Sequence, residues 1–258
     1  MKILTSRDNA SFKSLKKLAH SSRERRKTGY TLLDGTHLIG AYVERIGPPQ
    51  MLAVSVSGKD KAEIRSLLEK LPSIPVTILG DGLFQELAPV DTPTGLLGLV
   101  QVLQLPLPEK VSFAVYLEAV QDPGNLGSIL RSAAAAGVDV AYLSPGCADA
   151  WSPKVLRGGM GAHFAMPIRE GADLVAKAAD FAGEVIVTSL QARDSLFDTD
   201  LTGPLALVIG NEGAGVSPAL QQAATKLVRI PMPGALESLN VAAAAAVCLF
   251  ERVRQLGT

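Results

Sequence analysis

The sequence predicts an α/β protein in two parts, on three observations. Short apolar runs rich in branched residues alternate with helical stretches along most of the chain. A proline-bearing break, Leu103 to Ser112 (LQLPLPEKVS), interrupts that alternation. Two late strands run directly into loops rich in glycine or proline, in the stretch LALVIGNEGAGVSPALQQAATKLVRIPMPGALESLNVAAAAAV, Leu205 to Val247. In a mostly parallel sheet, ligands bind in the crevice beyond the carboxyl ends of the strands, so both loops are expected to face one pocket. The parts are placed at 1–103 and 113–258, with 104–112 as the linker.

In the first part, Asn9 to Arg26 reads as a basic amphipathic helix with a short apolar stripe of Phe12, Leu15, Leu18 and Ala19. Tyr30 to Asp34, Met51 to Ser55, Val76 to Leu79 and Gly95 to Leu103 read as strands. Between them, Thr36 to Arg45, Lys59 to Leu71 and Gly82 to Ala88 read as helices. Nothing in this part has the makings of a catalytic set.

After the linker, Phe113 to Leu117 reads as a strand that leads into QDPGNLGSILRSAAAAGV. Asp122-Pro123-Gly124 is expected as a turn, Asn125 as the cap of the following helix and Gly137 as its stop. Val138 to Leu143 returns as a strand and closes a βαβ unit. The segment WSPKVLRGGMGAHFAMPI is expected as a loop. Its glycines at 158, 159 and 161 would let backbone approach a ligand, and Lys154 and Arg157 would suit a phosphate, the alternative being an ordinary connection. Val185 to Leu190, Leu205 to Ile209 and Val228 to Pro231 complete the strands, and an alanine-rich helix ends the chain.

Composition narrows the classes of function. Hydrophobic residues make up 47% and charged residues 19% of 258, which suits a folded protein of one large domain or two ordinary ones with a sizeable core. No apolar run approaches the roughly 20 residues that span a bilayer. The opening MKILTSRDNASFK lacks a secretory apolar stretch, so a cytoplasmic protein is expected. Two cysteines, Cys147 and Cys248, and three histidines without ligand spacing give no basis for a disulfide framework or a metal site. The net charge is zero, but Lys13, Lys16, Arg23, Arg25 and Arg26 belong to a cationic N-terminus. That asymmetry points to a polyanion such as nucleic acid, or to no more than a solvated helix face.

Several chemistries fall away at the GNEGAG turn. Glycines at 210, 213 and 215 give G-x-x-G-x-G, the reverse of the dinucleotide fingerprint, and no acidic residue follows about 20 positions on, which disfavours a dehydrogenase. No glycine precedes a Lys-Ser or Lys-Thr pair as a P-loop requires, and no serine stands on a nucleophile elbow. Arg131, on the second turn of the helix after Asn125, lies among small apolar residues that let one charge project, the alternative being an ordinary solvated or ion-paired arginine.

Taken together, NLGSILR (Asn125 to Arg131), LVIGNEGAGVS (Leu207 to Ser217) and IPMPGALESLNVAAAAA (Ile230 to Ala246) resemble the three motifs of the SpoU-type, or TrmH-like, RNA 2'-O-ribose methyltransferases of the SPOUT superfamily. The likeness runs from about Phe113 to the end. The N-terminal part resembles the small α/β RNA-binding domain, akin to a ribosomal protein, that some members carry.

That resemblance implies a parallel sheet whose C-terminal end is threaded into a deep trefoil knot, an exception to the usual rules of chain connection. It implies S-adenosylmethionine as cofactor, bound in a pocket that Leu190, Gly210, Ile230, Met232 and Leu239 would line. It implies Arg131, Asn125, Glu212 and Asn240 as the catalytic set, with Glu212 either pairing with Arg131 or fixing the loop. Lys13, Lys16, Arg23, Arg25, Arg26, Lys154 and Arg157 would contact RNA, with ribosomal RNA expected ahead of transfer RNA, and the protein would act as a homodimer without a metal. One position departs from the pattern: Ala242 stands where many relatives have serine. The alternative is an RNA-binding or ribosome-assembly protein that keeps the fold without catalysis.

Overall fold

The computed structural model describes residues 3–88, 93–234 and 238–257. In chain order the first elements are β1 (Ile3–Leu4), α1 (Ala10–His20), α2 (Ser22–Thr28), β2 (Tyr30–Asp34), α3 (Thr36–Arg45), β3 (Met51–Ser55), α4 (Ala62–Lys70), β4 (Val76–Leu79), α5 (Asp81–Leu87) and β5 (Leu96–Gln101). Then come β6 (Phe113–Leu117), α6 (Pro123–Ala135), β7 (Val140–Leu143), α7 (Pro153–Gly159), β8 (Ile168–Arg169), α8 (Leu174–Ala179) and β9 (Glu184–Thr188). The chain closes with β10 (Asp194–Ser195), β11 (Leu205–Ile209), α9 (Pro218–Ala223), β12 (Lys226–Arg229) and α10 (Val241–Leu256). Two compact units result: Met1–Leu103 with Trp151–Phe164, and Gln104–Ala150 with Ala165–Thr258.

The first unit is a mixed sheet in the order β1-β4-β3-β5-β2, in which β5 runs antiparallel to both β3 and β2. Helix α1 buries Phe12, Leu15, Leu18 and Ala19, the stripe expected from spacing. The single helix expected over Asn9 to Arg26 is instead two. Ser21 takes an extended conformation (φ −123°, ψ 112°), and its side chain caps α2 by accepting from the Glu24 N–H.

Arg25 changes role accordingly. Expected among the cations that meet RNA, it is buried, 5% exposed, and its guanidinium donates to the carbonyls of Leu18 and Ala19 at the end of α1. Those carbonyls lack helical partners, so the cation satisfies them where water cannot. Arg25→Ala is therefore expected to lower the unfolding free energy by about 2 kcal/mol, as the midpoint in urea would show.

The segment 151–164 packs within the first unit, although its sequence position suggested the second part. It is not the glycine loop expected. Ser152 caps α7 through the Val155 N–H, Pro153 occupies the first turn, and Gly158 and Gly159 lie inside the helix. Met160, in the left-handed region at φ 46°, ends it. The Trp151 carbonyl accepts from Thr31 Oγ1 at 2.6 Å, and the Phe164 ring meets Tyr42 edge-on at 5.3 Å. Arg157 reaches Asp34, whose buried carboxylate takes Nη1 at 2.9 Å on Oδ2 and the Thr94 hydroxyl at 2.6 Å on Oδ1. This arginine neutralises a buried charge, the costliest kind to leave alone, whereas Lys154 is exposed.

The second unit is built on a sheet of seven described strands in the order β10-β12-β9-β11-β6-β7-β8, with every pairing parallel. At its centre β11 pairs β6 in register from Leu205↔Phe113 to Ile209↔Leu117. Both strands are buried throughout, as uninterrupted apolar runs require. The order turns back on itself around β6 and β11, which makes the carboxyl edge there a natural crevice.

Two helices bear on that edge. In α6 the cap is Asp122, not the expected Asn125: Asp122 Oδ1 accepts from the Asn125 N–H at 2.8 Å and Pro123 fills the first turn. This leaves the Asn125 carboxamide free for other partners. Helix α10 packs against α6 and buries Ala245, Cys248 and Leu249. Among the described residues no helix is long and apolar enough to cross a membrane.

Candidate active site

A cavity of about 200 Å³ opens at the carboxyl ends of three adjacent strands, β9, β11 and β12. Leu190, Gly210, Ile230, Met232 and Leu239, the five residues expected around a cofactor, all line it. Thr188 and Ser189 join them from the end of β9, a third strand edge beyond the two that the loops announced. Leu190 and Leu239 stay 62% and 42% exposed, an unusual state for leucines on the wall of a concavity.

The turn after β11 is held by backbone. Asn211 and Gly215 exchange N–H···O bonds of 3.0 Å each way, which folds the chain back over Gly210. A Cβ at Gly210 would lie 2.3 Å from the Gly215 carbonyl carbon and 2.5 Å from the Val216 nitrogen, so only glycine fits. Gly215, at φ 70°, sits in the left-handed region.

Three residues that the sequence reading passed over shape this turn. Asn211 Oδ1 accepts from the N–H groups of Gly213 and Ala214 at 2.9 Å each, while its Nδ2 donates to the Ala119 carbonyl at 2.8 Å. An asparagine two residues before glycine is a known turn former, and that signal was available. Glu118 Oε2 accepts from the Ser217 N–H at 2.7 Å where the turn exits. Ala119 adopts φ 51°, a conformation that costs a non-glycine residue about 1–3 kcal/mol. Its N–H bond to Ser144 Oγ at 3.0 Å and the bond from Asn211 hold it there.

Three of the four residues expected to be catalytic meet. Glu212 Oε1 accepts from Asn125 Nδ2 at 3.2 Å and from the Asp122 N–H at 3.3 Å, and Oε2 lies 3.4 Å from the Gln121 N–H. Asn125 Oδ1 accepts from Asn240 Nδ2 at 3.0 Å. Asn240 Oδ1 in turn caps α10 through the N–H groups of Ala242 and Ala243 at 2.9 and 3.3 Å. Partial burial works to raise the Glu212 pKa, but its own backbone N–H, the Asn125 amide and the N–H groups of Asp122 and Gln121 hold it below the usual carboxylate range. Of the two roles open to Glu212, it takes the fixing of the loop.

Arg131 stands apart. It is exposed on α6, does not line the cavity, and has no hydrogen-bond or ion-pair partner among the described residues. Six residues beyond Asn125, it lies about 9 Å further along the helix axis. Ala242, the departure from the family pattern, leaves the helix end intact, because Asn240 already caps the N–H groups there.

The sequence model of the SpoU rRNA Methylase family matches residues 112–250. The chain belongs to that family. It is 34% identical over 255 residues to the 23S rRNA (guanosine(2553)-2'-O)-methyltransferase RlmP of Bacillus subtilis, covering 97% of this chain and 98% of the relative. It is 32% identical over 268 residues to the 23S rRNA (uridine(2479)-2'-O)-methyltransferase of Streptomyces viridochromogenes, covering 98% and 92%. Among solved structures, an RNA 2'-O ribose methyltransferase superposes with a TM-score of 0.85 at 26% identity, covering the whole of both chains. The SpoU methyltransferase AviRb from Streptomyces viridochromogenes, in complex with AdoMet, gives 0.81 at 29% identity over 96% of this chain and 99% of that one. The likeness to these individual relatives and structures covers nearly the full length of the chain, whereas the family model covers residues 112–250.

Proposed function

We propose that this protein is an S-adenosylmethionine-dependent RNA methyltransferase that modifies a ribose 2'-hydroxyl in ribosomal RNA. The observation that carries this reading is the convergence of all five expected cofactor residues on one cavity, closed on one side by the Asn211–Gly215 turn. The residues suit the group. Exposed leucines offer flat apolar contact to an adenine, and the backbone of strand ends and turn supplies hydrogen bonds to its polar edge.

When bound, S-adenosylmethionine supplies an electrophilic methyl group on a positively charged sulfur. The chain's own residues align and stabilise. Glu212, Asn125 and Asn240 tie the turn, α6 and the start of α10 into one frame around the cavity. Arg131 presents five N–H donors and no acceptor, which suits an RNA phosphate or the negative charge that develops on a ribose oxygen as it loses its proton. Positioning of this kind accounts for much of the acceleration of an in-line transfer.

The finer features belong to the same reading. The last strand, β12, lies beyond β9 rather than beside its sequence neighbour β11, an order that supports a deep trefoil knot formed at the Gly210–Gly215 turn and the loop after β12. In this reading the first unit serves as the RNA-binding domain, a second copy of the chain completes a homodimer, and the protein works in the cytoplasm. Lys13, Lys16, Arg23 and Arg26 are exposed on α1 and α2, as a phosphate-facing surface needs.

The test is calorimetric titration with S-adenosylhomocysteine, followed by mapping of 2'-O-methyl groups in ribosomal RNA with and without the protein. Saturable binding and one methyl group that depends on the protein are expected. Absence of both, with RNA present, would leave a non-catalytic RNA-binding role. Separately, Arg23→Glu with Arg26→Glu is expected to weaken RNA binding at least tenfold near 0.1 M salt and to flatten its salt dependence. Because both side chains are exposed, the urea midpoint should hold, in contrast to Arg25→Ala.

A further inference from the structure

We propose that Glu212, Asn125 and Asn240 form a one-way hydrogen-bond relay in which the carboxylate sets which way both carboxamides face, making Glu212 and Asn125 positioning residues rather than groups that touch the substrate. This rests on the methyltransferase reading of the cavity and adds to it a division of labour among the motif residues.

The polarity follows from donor counting. A carboxylate only accepts, and here it meets the Asn125 amide together with the N–H groups of Gln121 and Asp122. Asn125 must therefore turn its Nδ2 toward Glu212 and its Oδ1 away. That oxygen faces Asn240, which must answer with its own Nδ2 at 3.0 Å. Asn240 is left with Oδ1 pointing at the N–H groups of Ala242 and Ala243, the arrangement that a helix start requires. Each link has one donor and one acceptor, and reversing either amide would set like groups against each other at both of its ends.

The relay also joins pieces distant in sequence. Glu212 belongs to the turn over Gly210, and Asn240 lies between Leu239 and Val241, both on the cavity wall. Asn125 spans them from α6, the helix that carries Arg131. With its oxygen held by Asn240 and its nitrogen by Glu212, the Asn125 carboxamide is fixed at both ends and cannot turn to follow a substrate. Its contribution is to fix α6, and so the base of Arg131, against the two loops.

A reciprocal exchange tests this. Asn125→Asp puts two carboxylates face to face and is expected to cut kcat at least 100-fold. Glu212→Gln removes the acceptor-only end and is expected to cut it about tenfold or more. When both substitutions are combined, the amide introduced on the turn can donate to the carboxylate introduced on α6, and that carboxylate still accepts from Asn240. The double variant is therefore expected to recover at least tenfold over Asn125→Asp, with the RNA KM unchanged. A double variant no better than Asn125→Asp would overturn the relay and assign the Asn125 amide to the substrate. Should these proteins fail to fold, Asn240→Asp decides: it keeps the helix cap but loses the donor, so Tm is expected to hold while kcat falls. Full kcat in that variant would also overturn the relay. Methyl transfer by the unaltered protein runs in the same assay, and its absence would count against the methyltransferase reading instead.

Discussion

Gly210→Ala is expected to abolish saturable binding of S-adenosylhomocysteine, raising Kd by at least 100-fold from the addition of one methyl group. The new Cβ would stand 2.3 Å from the Gly215 carbonyl carbon, 2.4 Å from its oxygen and 2.5 Å from the Val216 nitrogen. All three atoms are backbone, so no side chain can swing aside. Either the paired N–H···O bonds between Asn211 and Gly215 open or the end of β11 moves, and β11 is buried along its whole length. The weaker structure gives way first, and with it the turn that closes the cavity. Gly203→Ala, where a Cβ would meet nothing within 4 Å, serves as the control and is expected to bind as the parent does. Calorimetry on both, with circular dichroism to establish that each is folded, separates a lost pocket from a lost fold. Unaltered affinity in Gly210→Ala would mean that the cofactor lies elsewhere.

Arg131→Ala should lower kcat by about 10³-fold or more while cofactor Kd changes less than about threefold. The asymmetry follows from position. Arg131 does not line the cavity, is exposed, and is not tied into an ion pair among the described residues. Its removal thus costs the bound cofactor nothing directly and leaves no partner stranded. An exposed, unpaired cation that the cofactor does not touch contributes where negative charge builds up during reaction, a loss that appears in kcat rather than in ground-state affinity. Arg131→Lys keeps the charge but not the planar fork and should recover only part of the rate. Single-turnover methyl transfer together with calorimetry distinguishes these cases. A parallel loss of cofactor affinity would instead make Arg131 part of the cofactor site.

What the sequence made legible depended on how local the cause was. Strands β6 and β11 are continuous apolar runs and β2, β3 and β4 are mostly apolar ones, and the limits of all five are those expected. The break at Ser21 is hidden because serine inside a helix and serine capping the next one look alike in sequence. Helix α7 reads as a loop on the strength of Gly158, Gly159 and Gly161. Ser152 followed by Pro153 is the countervailing signal of a helix start. Strands β1, β8 and β10, two residues each, carry no periodicity to detect.

The buried roles of Arg25 and Arg157 are illegible for another reason. A cation's partner can be a carbonyl or a carboxylate far away in sequence, as Asp34 is for Arg157, and composition cannot foretell it. The cavity was accessible because motif resemblance and strand-edge logic pointed to the same loops. The direction of the hydrogen bonds between Glu212, Asn125 and Asn240 is not legible in the sequence, because it depends on which atoms the fold brings face to face.

That the first unit includes Trp151–Phe164 bears on the timing of synthesis. The chain passes from one unit to the other after Leu103, after Ala150 and after Phe164. A ribosome has released all of residues 1–103 while Thr31 still lacks the Trp151 carbonyl and the Asp34 carboxylate still lacks Arg157. About 50 more residues must be translated before those partners emerge, on the order of 2–10 s at about 5–20 residues per second. Throughout that interval Asp34 has the Thr94 hydroxyl but not its cation, and the first unit gains its full set of partners only after the first stretch of the following unit, Gln104–Ala150, has been made.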